Sequence, residues 1–516
     1  MPRRSPRPNV ATMPRPVDPD DEGLRTLGER TRRLALGLTV ALIAMRPYWP
    51  SEDAATGTGL SWVLAMLVVA ALAVIAALLS QTARFRWSWV DAAFLLMIAL
   101  VGLSSSGLPG LRNALHINWP GADDRRAAIN LAWEWAGIAV AYFLVRNLPR
   151  TRGESAAIAG ALVASAVAVA AYGLYQVAVE LPQIRKAFLQ NPQALMARLG
   201  YQPGTPSEEL FRHRVLDSKE PFATFALANS LAGFLVGPLA LCLALAVENL
   251  RRIGRGSRVY ALGLAIVPGA ILMLCLLLTK SRSAWIGLLV ALLVIAWRSR
   301  GQVSRRTILL AGGGLTVVLI GLVLTLGALR QLDLNVLTES TKSLRYRWEY
   351  WRGTWAILTN APNSFEPKGF AGIQGEAPIG VEVPIEWPEQ HAFWLGLGPG
   401  NFSGAYLRHK LPQASEEILD PHNMILEVWC TAGLPSALAL IVALGLGLWL
   451  TLRPVRDPAA EDEPEPAPDT NRAPDAPPAS SAWLIVWSGA SWIVVVALGK
   501  LNPFEGDLLA RWLVLG

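Results

Sequence analysis

Apolar residues along this chain fall into blocks of roughly 20, the length an α-helix needs to cross about 30 Å of hydrocarbon. Read in order, the blocks predict membrane helices over 34–46, 58–80, 87–104, 128–146, 155–178, 222–247, 259–278, 281–297, 307–329, 423–452 and 482–499. Residues 508–516 read as the start of a twelfth, cut short. The first block is short, but its Arg46-Pro47-Tyr48-Trp49 flank is no small-residue cleavage site, so it reads as a helix and not as a signal-peptide core. With the Arg-rich N-terminus placed inside, the basic residues of the short loops all fall on the same side: Arg84 and Arg86; Arg146, Arg150 and Arg152; Arg251 to Arg258; Arg298 to Arg306. That is the positive-inside pattern.

The same alternation puts 105–127, 179–221 and 330–422 outside. The last is too long for a plain connection and contains an amphipathic stretch at Arg345–Thr359. The predicted organisation is a disordered cytoplasmic N-terminus (1–33), a transmembrane body (34–452) with its periplasmic loop at 330–422, a cytoplasmic Pro/acidic linker (453–480) and a C-terminal transmembrane segment (481–516). No internal repeat is visible.

Composition supports the all-α, multi-pass class of about 11–12 helices with a large helical outer loop. Charged residues make up 16% of the chain, against about 25% in soluble domains. Many of the 20 Trp residues, such as Trp62, Trp87, Trp89, Trp285, Trp297 and Trp483, stand near block ends as in aromatic belts. The net charge of +7 sits in the short basic loops, which argues against nucleic acid as a partner. Cys242, Cys275 and Cys430 lie in or beside apolar blocks without metal-ligand spacing and read as packing residues.

Candidate chemistry concentrates where polar loops meet apolar blocks. His422-Asn423 follows Asp420-Pro421 and precedes a long apolar run. A histidine there is either a cap or packing residue or a general base, with Asp420 and Asn423 placed to orient the ring. The hairpin Lys280-Ser281-Arg282-Ser283 precedes a block of only 14 apolar residues, Ala284–Trp297. The helix must therefore recruit the hairpin, drawing Arg282 and Lys280 to the edge of the hydrocarbon. Cations there either snorkel to headgroups or clamp a phosphate ligand. Lys219, just before the sixth block in the stretch Arg214–Asn229, is either an ordinary juxtamembrane lysine or an addition to the same positive pocket. In the big loop Arg347 and Trp351 share a helix face that could rest on the membrane or close over a sugar. Gly396-Leu397-Gly398-Pro399-Gly400-Asn401-Phe402 reads as a structural turn before a phosphate cradle, because the strand–helix context of a nucleotide loop is missing.

Together, Ser281-Arg282, Arg347 to Trp351, the glycine turn, His422-Asn423 and Thr431-Ala432-Gly433-Leu434-Pro435 make the chain resemble the O-antigen ligase and O-antigen polymerase superfamily of bacterial envelope glycosyltransferases. The motif-bearing part runs from about 220 to 452. The resemblance implies inverting, metal-independent transfer of a glycan from a polyprenyl-diphosphate carrier to an acceptor hydroxyl, without a cofactor. The site would lie on the periplasmic face of the inner membrane. It implies Arg282 and His422 as catalytic residues, and Lys219, Arg214, Lys280, Arg347, Trp351 and Asn423 as substrate-binding. Partners would be the lipid-linked donor, a glycan, lipid or protein acceptor, and the bilayer itself.

Two departures stand out. Lys219 and Ala223-Thr224-Phe225 stand where the family has Arg ahead of a Gly-Thr-Phe-like motif, and 361–390 is an insertion before the glycine turn. The alternative class is a transporter or flippase of lipid-linked glycans. Its marks would be internal repeats, broken helices and ionisable groups at mid-membrane, and Glu134 is the one clear acidic residue well inside a predicted span. A scaffold in an envelope assembly complex would leave His422 and Arg282 dispensable.

Overall fold

The structure, a computed structural model, describes residues 19–49, 57–81, 85–106, 125–199, 212, 220–252, 258–299, 340–359, 392–411 and 418–453. The predicted helices at 307–329 and 482–499, the 361–390 insertion, Arg214 and Lys219 lie outside the described residues. The elements are α1 (Pro19–Met45), α2 (Leu60–Ser80), α3 (Trp89–Ser106), α4 (Arg125–Asn147), α5 (Arg152–Tyr175), α6 (Leu181–Gln190), α7 (Pro192–Leu199), α8 (Ala228–Arg252), α9 (Arg258–Leu278), α10 (Arg282–Arg298), α11 (Ser340–Thr359), α12 (Ala392–Leu395), α13 (Phe402–His409) and α14 (Met424–Leu452). Among the described residues there is no strand, and five helices are long and apolar enough to cross a membrane. The chain is an all-α multi-pass membrane protein.

Helix α1 starts well before its apolar block. Composition reads residues 19–33 as disordered, yet their charges are partnered rather than solvated. Arg32, 5% exposed, pairs with Glu29 at 2.7 Å and with Glu154 at 2.6 Å, and donates to the carbonyl of Leu148 at 2.6 Å. Glu154 also completes a capping box with Thr151 at the start of α5. These charges tie the polar half of α1 to the junction between α4 and α5.

Contacts between helix ends fix which ends lie together. Ser104, near the end of α3, donates to the carbonyl of Thr431 near the start of α14 at 2.7 Å. Arg46, just past α1, pairs with Glu134 of α4 at 2.7 Å. Gly59, at the start of α2, lies so close to the Glu134 carboxylate that a Cβ would fall on it. A Cβ on Gly173, near the end of α5, would stand 3.1 Å from Cys275 Sγ near the end of α9 and 3.3 Å from Pro221 ahead of α8. The ends of α1, α3, α5 and α9 thus share one end of the bundle with the starts of α2, α4, α8, α10 and α14.

Helix α14 is two helices joined at a kink. Ala432 (φ −136°) and Gly433 (φ +81°, ψ 174°) are non-helical, so carbonyls before the kink lose their helical donors. The glycine turn supplies replacements: Leu397 N–H donates to Cys430 O at 2.6 Å and Gly398 N–H to Thr431 O at 3.0 Å. The Trp394 carbonyl occupies the place of a Gly433 side chain, and the Thr431 backbone that of a Gly396 side chain. From Gly433 to Leu452 the chain covers about 30 Å at 1.5 Å per residue. The turns before the kink are therefore not needed for crossing.

Candidate functional site

Asp420, Pro421 and His422 form an Asx turn in which Asp420 Oδ1 accepts the backbone N–H of His422 at 2.6 Å. His422 takes a left-handed backbone, φ +49°, and its Nδ1 lies 2.9 Å from the same Asp420 oxygen. The imidazole is 39% exposed. Burial pushes the Asp420 carboxyl up, but the hydrogen bonds and charge of His422 outweigh it and leave the group below its ordinary value. Asp420 therefore stays ionised near neutral pH and favours a proton on Nδ1, leaving Nε2 to accept one from a substrate.

Helix α11 buttresses this turn with two adjacent residues. The Tyr350 ring stands edge-on to the imidazole at 5.9 Å, and Trp351 Nε1 donates to the Pro421 carbonyl at 3.2 Å. Tyr350 belongs to a buried cluster with Ile357, Leu397, Phe402, Tyr406, Ile418 and Cys430, so the glycine turn, α11, α13 and the first turns of α14 support the histidine together. Close packing of Gly353 on the Tyr406 ring, where a Cβ would come within 2.9 Å, brings α11 onto α13. Burial, with the Glu349 carboxylate, pushes the Tyr406 phenol up. Asn423, expected to bind substrate, caps α14: its side-chain oxygen accepts from Ile425 N–H at 3.0 Å and Leu426 N–H at 3.3 Å. Arg347 is half-buried.

The cationic hairpin is built by the end of α9. Thr279 Oγ1 donates to Leu276 O at 2.6 Å, Lys280 N–H donates to Leu277 O at 3.1 Å, and Lys280 turns the chain at φ +54°. Ser281 returns to an extended conformation and Arg282 opens α10, which at 17 residues covers only about 25 Å. Lys280 Nζ lies 4.0 Å from Glu220 Oε1.

Glu220 leads the Ala223-Thr224-Phe225 segment, which a residue not singled out in the sequence holds in place. Gln176, 3% exposed, opens a π-helical turn after α5, and its Oε1 accepts the backbone N–H groups of Phe222 at 3.0 Å and Ala223 at 2.9 Å. Such π turns often mark functional sites. The available signal was an amide inside an otherwise apolar predicted span. Tyr350 was also missed, although it lies beside Trp351.

Among the described residues the non-glycine left-handed positions are Gln81, Ala223, Lys280 and His422. Gln81 ends α2; the other three lie in the Gln176-held segment, the cationic hairpin and the histidine turn. Strained backbone of this kind clusters at functional sites. The hairpin and the Ala223 segment form one group, and His422, Asp420, Tyr350 and Trp351 another. Both stand at the same end of the bundle, and α10 touches α14.

The chain is thus a helical membrane bundle that carries the Lys280–Arg282 hairpin and the Asp420-oriented His422 at one end. Residues 267–363, about a fifth of the chain, match the family model described as O-antigen ligase, and the match supports the O-antigen ligase and polymerase superfamily. The matched stretch takes in Lys280, Arg282, Arg347 and Trp351, and His422 follows it. No curated protein and no solved structure matches the chain.

Proposed function

We propose that this protein is an inverting glycosyltransferase that moves a glycan from a polyprenyl-diphosphate carrier to an acceptor hydroxyl at the periplasmic face of the inner membrane. The observation that carries the reading is that the Lys280–Arg282 hairpin and the Asp420–His422 pair lie at the same end of the bundle, on helices α10 and α14 that touch, in a chain whose residues 267–363 match the O-antigen ligase family model. His422 Nε2 takes the proton of the acceptor hydroxyl as its oxygen attacks the anomeric carbon. The bond from that carbon to the diphosphate oxygen breaks on the opposite face. Arg282 and Lys280 stabilise the diphosphate as it leaves, with Lys219 and Arg214 as further cations. Asp420 stabilises the imidazolium. Arg347 and Asn423 bind substrate beside the histidine turn, and Trp351 does so while bracing Pro421. The acceptor is another lipid-linked glycan, a lipid or a protein.

The test is reconstitution in lipid with a polyprenyl-diphosphate oligosaccharide, candidate acceptors and EDTA, with products followed by mass. Wild type yields a glycan ladder or a glycosylated acceptor, and His422→Asn and Arg282→Ala do not. Equal product from the variants refutes the site. Movement of the lipid-linked glycan between leaflets without transfer points to the transporter.

A further inference from the structure

Helix α11 turns Tyr350 and Trp351 toward the histidine turn and leaves another face bare. Arg345, Trp348, Arg352 and Trp355 recur at spacings of three and four, one stripe of a helix, and all are exposed, Trp348 by 61% and Trp355 by 52%. The stripe runs into an aromatic cluster. Trp355 meets Trp429 edge-on at 6.0 Å, Trp429 Nε1 donates to Phe393 O at 2.9 Å, and Phe393 stands beside Trp394 at 5.1 Å. Trp394 is 60% exposed, and its carbonyl rests on Gly433.

Gly433 begins the part of α14 that by itself covers the roughly 30 Å hydrocarbon thickness. The cluster therefore stands at the level of the lipid headgroups, and the α11 stripe is continuous with it. Its chemistry suits that level. Indole rings partition to the membrane–water interface, and the exposed Arg352 guanidinium between Trp348 and Trp355 matches headgroup phosphates, while Arg345, before them, pairs with Glu349 at 3.0 Å.

We propose that α11 docks its Arg345–Trp348–Arg352–Trp355 face onto the lipid headgroups of the membrane that α14 crosses, setting the height at which its other face holds the histidine turn. The inference stands on the exposed stripe and the α14 kink and does not depend on the transferase reading.

The test places an environment-sensitive fluorophore on a single introduced cysteine at Trp348, at Trp355, or at the exposed control Leu419 in the histidine turn, leaving the three buried native cysteines in place. The full chain is reconstituted in vesicles of phosphatidylethanolamine with phosphatidylglycerol, with and without headgroup-nitroxide lipid. Labels at 348 and 355 should be quenched at least about twofold more than the label at 419, and Arg352→Glu should weaken that quenching. Equal quenching at all three positions overturns the proposal. So does shielding of 348 and 355 from a water-soluble quencher only when oligosaccharide is added, which would assign the face to glycan. Because the substituted side chains are exposed, folding is checked by melting each labelled variant beside wild type.

Discussion

One oxygen of Asp420 meets His422 twice, at the backbone N–H (2.6 Å) and at Nδ1 of the ring (2.9 Å). The first contact fixes the left-handed backbone and the second fixes the ring, so a single carboxylate sets both position and tautomer. General bases contribute about 10²–10⁴-fold to turnover, and His422→Asn should lose that range; asparagine tolerates φ +49°, so the variant stays folded. Asp420→Asn keeps an acceptor for the backbone N–H but loses the charge that stabilises the imidazolium. It should lose a smaller part of turnover, with the donor KM unchanged. Steady-state transfer kinetics check both, and a donor KM shift without a turnover change in Asp420→Asn would make Asp420 a binding group instead.

Gln176 accepts two backbone N–H groups with one oxygen, that of Ala223 buried and that of Phe222 part-buried. Gln176→Leu strands both donors, at about 1–3 kcal/mol each, whereas Gln176→Glu keeps an acceptor. Hydrogen exchange at Phe222 and Ala223 should speed up in the leucine variant and stay slow in the glutamate variant. If the segment also places Lys280 for the donor diphosphate, the leucine variant raises the donor KM more than it lowers turnover. Unchanged exchange in Gln176→Leu would show that the segment is held by something else.

The helical spans among the described residues were legible from hydropathy because a crossing helix must be apolar for most of its length. The kink in α14 was legible only in part: the Thr431–Pro435 motif fits a glycine-containing turn, but nothing local says that Leu397 and Gly398 will donate to Cys430 and Thr431. The glycine turn reads as a turn from its own residues, but its partner lies some 35 positions away. The polar half of α1 misled for the opposite reason, since its charges look solvated until Glu154 and the Leu148 carbonyl are brought to Arg32. His422, Asp420 and Lys280 were legible as unusual polar groups at block edges. Gln176 was not, because its function depends on a loop more than 40 residues away.

The interlock of the glycine turn with the kink makes a strong packing prediction. At Gly433 and Gly396 a Cβ would coincide with backbone of the opposing segment, at φ +81° and +75°. Backbone cannot swing aside as a side chain can, so Gly433→Ala and Gly396→Ala should each cost well over ~2 kcal/mol. Both should lower the melting temperature and uncouple the turn, read as faster hydrogen exchange at Leu397 and Gly398. Gly445→Ala, with nothing within 4 Å of its would-be Cβ, is the control and should be neutral or mildly stabilising.

Acid stability should report the charge cluster on α1. The Arg32 guanidinium, bonded to Glu29, outweighs a burial effect in the opposite sense and, with Arg33 and Arg150, holds the Glu29 carboxyl at about 2 against an ordinary 4.5. A folded value below the unfolded one means stability that is fully present above about pH 4.5 and is lost as pH falls toward 2. Glu29→Gln should therefore melt lower than wild type at pH 6, and the gap should close as the protein is taken from pH 4.5 downward. Melting curves of the solubilised protein across that range check it. A gap that stays constant with pH would mean that Glu29 acts through packing, and the polar half of α1 would then owe its order to contacts other than these charges.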